Sequence, residues 1–304
     1  MPRAGRIIWD LSDANLTDRV YVFSLVIITP WLLVSPRVEN RGWLAGINVA
    51  CLGLIRALQL WAKRSPIGEF LHDWYPLGVF IICFEEVSRL SFLVQKGWQD
   101  HYILTIESRL FSVPPTVWLG QHGLWLLTEV LEIGYFSYFV LLMIVGGVLY
   151  AREDKRPFRQ VMDATVLAYL MCYVVFILFP TEGPAHTLAA QHDFPLPGRG
   201  PFHWMVQLIQ SNAGVHGNAF PSAHVAGGVV SLFFAWKYAP KVGLTLTPLV
   251  FLLCIGAVYD RYHYVSDVIA GVVVGVIASW IIVKGWLSAG KYAVRDSRVS
   301  FVSQ

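Results

Sequence analysis

Residues 243–284 read GLTLTPLVFLLCIGAVYDRYHYVSDVIAGVVVGVIASWIIVK. Two apolar runs, 243–260 and 264–284, flank a short polar turn carrying Asp260, Arg261 and His263, with Asp267 one turn into the second run. A helix needs about 20 mostly apolar residues to cross the hydrocarbon core of a bilayer, and both runs approach that length. Six further blocks of this kind lie upstream, near 20–35, 43–62, 74–94, 132–150, 160–179 and 222–237. The segment Pro114–Glu129 is apolar but broken by Gln121 and His122, and it reads as an amphipathic helix on the surface or tucked into the bundle. Composition agrees. The chain is 56% hydrophobic and 14% charged, against about 45–50% and about 25% in soluble domains, which excludes a disordered protein and argues against a soluble one. The expected fold is all-α: a polytopic helix bundle of about eight transmembrane helices. A tail and two extra helices occupy 1–73, a six-helix core 74–284 and a C-terminal tail 285–304.

The net charge of +3 is too small to suggest a nucleic-acid partner. Its distribution orients the chain. With the first residue on the cytoplasmic side, inside segments carry fifteen lysines and arginines and outside segments six, which places both termini inside by the positive-inside rule. The expected location is the cell membrane. Met1–Asp10 has arginines but neither an apolar run nor a small-residue cleavage site, so no cleaved signal peptide is expected. Cys51, Cys83, Cys172 and Cys254 lie in apolar blocks without Cys-x-x-Cys spacing and read as buried hydrophobes.

Three polar segments then share the outer face: Phe179–His186, Asn218–His224 and Asp260–Asp267. In Gly217-Asn218-Ala219-Phe220-Pro221-Ser222-Ala223-His224, proline precedes an apolar run and suits a first helical turn. The free N–H groups of such a helix start attract anions, Ser222 adds a hydroxyl donor, and His224 sits one turn in, able to pass a proton. A plain capped helix with an interfacial histidine fits the same string. His263 and Asp267, four apart, share a helix face. The carboxylate can hold one imidazole nitrogen as N–H and leave the other nucleophilic, or the two can simply close a helix end. In Phe179–His186, Gly183 and Pro184 make a tight turn from which Glu182 or His186 can face the site.

Pro221-Ser222-Ala223-His224, followed some forty residues on by His263-x-x-x-Asp267 within YHYVSDVIAG, resembles the second and third motifs of the type 2 phosphatidic acid phosphatase superfamily. The likeness covers the chain from about Glu132 onward. It implies His263 as nucleophile forming a phosphohistidine, Asp267 as its orienter and His224 as general acid, with no metal or cofactor. The superfamily's usual Ser-Arg pair falls here on Gly256 and Ala257, and the only Lys/Arg-Pro string, Lys155-Arg156-Pro157, has the wrong spacing and lies inside. A cation-poor site suits a singly charged phosphodiester better than a dianion, with Arg261 as partial substitute. That favours the branch resembling inositol phosphorylceramide and sphingomyelin synthases, whose segment around Gly183-Pro184 is also similar. The expected partners are a membrane lipid donor and a lipid or water acceptor, with Arg261, Ser222, His186, Asn218 and Glu182 binding substrate. The same residues acting with water would make a lipid phosphate phosphatase. A transporter, with Glu85, Glu86 and Arg89 lining a pathway, is the reading from another class.

Among other polar residues, Arg89 lies four after Glu85 and three after Glu86, spacing that allows an ion pair, and Arg56 is a further partner for either glutamate. Glu132, Tyr135 and Tyr138 read as interfacial anchors or head-group lining. His72, His101, His122, His192, His203 and His216 have no spaced partners and read as surface or loop histidines.

Overall fold

A computed structural model describes residues 15–35, 38, 40–213 and 216–299. Met1–Asp10, Arg37 and the side chains of Lys291, Arg295 and Arg298 lie outside the described residues. The elements are helical: α1 (Leu16–Val34), α2 (Arg41–Ala62), α3 (Pro66–Trp74), α4 (Pro76–Arg89), α5 (Asp100–Leu110), α6 (Pro115–Gln121), α7 (Trp125–Tyr150), α8 (Arg156–Leu178), α9 (Pro184–Thr187), α10 (Pro201–Ala213), α11 (Ala223–Tyr238), α12 (Pro240–Tyr259) and α13 (Val265–Val299), with a 3-10 turn at Ala189–Gln191. Proline opens α3, α4, α6, α9, α10 and α12, where its missing N–H costs nothing and its φ is already helical. Among the described residues there is no strand.

The chain divides into two compact units, Met1–Cys83 and Phe84–Gln304. In the first, α2 packs against α1 and α3. The buried Asp18 carboxylate accepts from Gln59 Nε2 at 2.8 Å and Tyr75 OH at 2.6 Å, and His72 Nε2 lies 3.1 Å away. His72 is therefore a partner in a polar knot between helices, a pairing no local spacing reveals. Arg56 hydrogen-bonds Gln59, three residues on in the same helix.

In the second unit α11 touches α7, α8, α12 and α13, so the shortest of the long helices sits at the centre. Its contact with α13 is close because Gly271 and Gly275 face it. A Cβ at Gly271 would stand 2.5 Å from the Ser222 carbonyl oxygen, and one at Gly275 2.7 Å from that of Ala226. The small-xxx-small pattern thus brings two backbones together. Outward-facing side chains such as Leu244, Phe251 and Trp280 are exposed and apolar, as lipid contact requires.

Six helices, α1, α2, α7, α8, α12 and the Val265–Gly285 part of α13, are long and apolar enough to cross a membrane, and the chain is a multi-pass membrane protein. Eight were expected. The block 222–237 is α11, whose 16 residues rise about 24 Å. The block 74–94 differs more. Pro76 starts a new helix of 14 residues that ends at Arg89, about 21 Å long. Ser88 and Ser91 hydroxyls bond the carbonyls of Glu85 and Ser88 there, a local alternative that competes with helix continuation. Arg89 and Glu85 form a half-exposed pair at 3.8 Å, while Glu86 is buried. The Pro114–Glu129 segment is also reassigned: α6 is one short piece, and α7 begins at Trp125. Glu129 is no boundary. Its buried carboxylate accepts the N–H groups of Gly200, Phe202 and His203 at the start of α10, the four-donor problem of a helix N-terminus solved from another helix.

Candidate active site

Two helix starts make the site. Ser222 is the N-cap of α11, its Oγ accepting the Val225 N–H at 3.3 Å. Its own N–H donates to the Asp267 carbonyl at 3.0 Å, which ties the start of α11 to the first turn of α13. The Asp267 carboxylate accepts the Tyr264 N–H at 2.8 Å. Glu107, from α5, accepts both the N–H and the hydroxyl of Ser266.

His263 lies at the centre and is 4% exposed. Its Nδ1 stands 2.9 Å from the Ala219 carbonyl and 3.5 Å from Asp267 Oδ2. Both partners only accept, so Nδ1 carries the proton and Nε2 keeps its lone pair. Burial pushes the His263 pKa down to about 4, partly offset by the Ala219 hydrogen bond, so the ring is neutral near pH 7. Nε2 faces His224 Nδ1 at 3.4 Å. His224 Nε2 in turn lies 3.3 Å from the Tyr135 hydroxyl, and the Tyr138 ring meets the imidazole edge-on. Tyr135 stacks on Tyr262 with ring centroids 4.5 Å apart. His224, some forty residues upstream, thus comes together with the buried His263 and Asp267 in one constellation.

The other expected site residues divide. Asn218, at φ +61°, is buried beside this centre, and neither end of its amide has a partner among the described residues. Ser222 is wholly buried and serves as the cap. Arg261, at φ +65°, turns its guanidinium to the Phe194 carbonyl at 2.8 Å and lies over the Phe194 ring at 4.8 Å. Glu182 and His186 gather elsewhere on the same rim. Glu182 Oε1 is 2.7 Å from His216 Nε2, and the His186 and His216 rings are 4.3 Å apart. These three side chains are the group of ligand-type residues among the described residues with atoms close enough to share a metal ion.

Asp100, which no spacing ties to the motifs, holds the rim in place. Its carboxylate accepts the N–H groups of Glu182 at 2.7 Å and Gly183 at 2.9 Å and the Tyr264 hydroxyl at 3.0 Å. Thr181 Oγ accepts the Phe220 N–H at 2.7 Å. Gly183, at φ +99°, is required: a Cβ would meet the Tyr262 carbonyl and Ala219. Three further histidines also have partners that spacing hid: His203 Nδ1, in α10, with Glu132 at 2.7 Å, His192 Nε2 with Thr116 at 3.2 Å, and His216 with Glu182. Asp260, 6% exposed, has both carboxyl oxygens without a partner among the described residues, as has Glu132 Oε2. Burial first, then the nearby Glu132, raises the Asp260 pKa well above the usual carboxylate range against the pull of Arg261.

Residues 101–281 match the model of the PAP2 superfamily. A PA-phosphatase related-family protein of Dictyostelium discoideum is 23% identical over 93% of this chain, and the chain spans about half, 52%, of that relative's length. No solved structure matches. The matched segment contains α7, α8, α11, α12 and the histidine-bearing helix starts, and the chain belongs to the PAP2 superfamily.

Proposed function

We propose that this membrane protein is a lipid phosphotransferase that moves a phospho-head-group between lipids through a phosphohistidine on His263, at the outer membrane face of the cell membrane. The observation that carries the reading is the His263 tautomer: Nδ1 is held by Ala219 and Asp267, and the free Nε2 points at a second imidazole. In the first step the Nε2 lone pair attacks phosphorus, the bond from phosphorus to the leaving oxygen breaks, and His224 gives that oxygen a proton. In the second step an acceptor hydroxyl attacks the phosphohistidine, its proton passes to His224, and the N–P bond breaks. Backbone N–H groups at the start of α11 and the Asn218 amide are the donors we assign to the equatorial oxygens, where charge stabilisation matters most, while the buried Ser222 hydroxyl caps that helix. The triad needs neither metal nor cofactor for these transfers.

Transfer is favoured over hydrolysis by charge. Arg261, the guanidinium nearest His263 in sequence, is engaged by the Phe194 carbonyl, which leaves less positive charge to offset a doubly charged phosphate beside His263. Such surroundings oppose a phosphate dianion more than a singly charged diester. Hydrolysis of a phosphatidic acid or prenyl diphosphate type lipid is the second reading, favoured by the likeness to the PA-phosphatase related-family protein of Dictyostelium discoideum. Phosphorus NMR of purified protein in mixed micelles with phosphatidic acid, phosphatidylinositol and a diacylglycerol or ceramide acceptor separates them. A new phosphodiester lipid that is absent with His263→Ala supports transfer. Inorganic phosphate alone, again absent with His263→Ala, replaces it with hydrolysis. Products that persist in His263→Ala overturn the nucleophile assignment.

A further inference from the structure

We propose that Glu182, His186 and His216 bind one divalent transition-metal ion, Zn²⁺ by donor type, as a clasp on the rim of the site rather than a participant in phosphoryl transfer. Three ligand atoms, one from each side chain, lie within 4.8 Å of one another. Ligands about 2.1 Å from a tetrahedral ion are about 3.4 Å apart, so side-chain rotation of roughly an ångström closes the set. His186 and His216 are exposed and Glu182 is half-buried, so an ion can reach them. Two imidazoles and one carboxylate favour Zn²⁺, Co²⁺, Ni²⁺ or Cu²⁺ over the oxygen-seeking Mg²⁺ and Ca²⁺.

The surroundings hold this set in place. The Thr187 hydroxyl donates to Glu182 Oε2 at 3.3 Å, leaving Oε1 toward His216. Outer-shell support of this kind orients a ligating carboxylate. The Asp100 carboxylate fixes the Glu182 and Gly183 backbone amides, and the Trp98 ring lies against the His216 imidazole with centroids 5.4 Å apart. The ligands come from two segments: 182–186 follows α8, and 216 lies two residues before Asn218 and eight before His224. An ion bound there would staple the loop after α8 to the loop that leads into α11. It would hold in register the Ala219 carbonyl that sets the His263 tautomer. The proposal does not depend on which phosphoryl reaction the triad performs.

The test is titration of the purified, chelator-treated protein in detergent with Co²⁺, read by visible absorption, and with Zn²⁺, read by competition and by the thermal transition. Wild type should bind one ion per chain and show the visible bands of a cobalt ion with nitrogen and oxygen ligands. His186→Ala and His216→Ala should each weaken binding by at least ~10-fold, and Thr187→Val should weaken it less. His101→Ala, an exposed histidine outside the set, should bind as wild type. All variants should retain the metal-free thermal transition of the wild type, and Zn²⁺ should raise that transition only where His186 and His216 are both present. Absence of stoichiometric binding by the wild type, or equal binding by the His186→Ala and His216→Ala variants, overturns the proposal. So does a loss of binding in His101→Ala.

Discussion

Asp267→Asn separates two roles that a histidine–aspartate pair usually merges. In many such pairs the carboxylate both fixes the imidazole tautomer and stabilises its positive charge. Here the Ala219 carbonyl, at 2.9 Å, already holds the Nδ1 proton, and the Asp267 oxygen is farther, at 3.5 Å. The variant should therefore keep the tautomer and the amide oxygen for the Tyr264 N–H, and lose the charge. Two unit charges 3.5 Å apart interact by about 5 kcal/mol at an effective dielectric constant of about 20, which sets a ceiling somewhat above 10³-fold. Phosphohistidine carries only part of that positive charge on the ring, so the expected fall in kcat is about 100- to 1000-fold with little change in KM. The assay is rapid-quench trapping of the acid-labile, base-stable phosphoenzyme from a radiolabelled lipid donor, with His263→Ala as the blank. A loss under ~10-fold with unchanged phosphoenzyme formation would refute the reasoning. Asp267 would then be a backbone tie, and Ala219 alone would prepare the nucleophile.

Two more expectations follow from the geometry. With the His263 pKa near 4, its nucleophilic form persists well below the pH at which a free imidazole protonates. Its phosphorylation by a donor with a good leaving group, which makes little demand on His224, should stay level from about pH 8 to about pH 5 and fall only as pH drops through about 4. A fall centred near the ordinary histidine value of about 6.5 would show that His263 is solvated in the working enzyme. Gly271→Val adds a branched side chain where even a Cβ would stand 2.5 Å from the Ser222 carbonyl. Overpacking against backbone should cost about 3 kcal/mol or more, seen as a lower thermal transition, and should abolish turnover because Ser222 caps the helix that carries His224. A folded, fully active Gly271→Val protein would mean that α11 and α13 do not meet there.

The membrane fold was legible wherever one apolar block made one helix. Residues 243–284 show α12, the Asp260–Tyr264 turn and the start of α13 almost residue for residue, because each run is apolar over most of its length and the polar residues gather at the turn between them. Legibility failed where hydrophobicity and helix length diverge. The 74–94 block is apolar enough on average, but Pro76 and the Ser88–Ser91 hydroxyls decide where its backbone is helical. Of the site, the His224–His263–Asp267 juxtaposition could be inferred because each residue sits at a helix start on one side. Asp100, Glu107 and Glu129 could not, since each works by accepting backbone N–H groups far away in sequence, and no periodicity marks a carboxylate that caps another element. Arg261 is expected as a phosphate ligand from its place beside His263; its hydrogen bond to the Phe194 carbonyl is a contact that no spacing marks.

The glycine-lined junction of α11 with α13 also determines which histidine can yield. Main chain against main chain at Ser222 and Ala226 leaves no slack for the helices to spread, and His263 is pinned at Nδ1 by a carbonyl and a carboxylate. A phosphorus atom cannot fit between two nitrogens 3.4 Å apart, so on the proposed mechanism a substrate reaching Nε2 would displace one ring. His224 is the freer: its hold is a 3.3 Å hydrogen bond to Tyr135 and the edge of Tyr138. On the proposed mechanism, His263 would act as the anvil and His224 as a latch that swings aside as the phosphate seats and returns against the leaving oxygen.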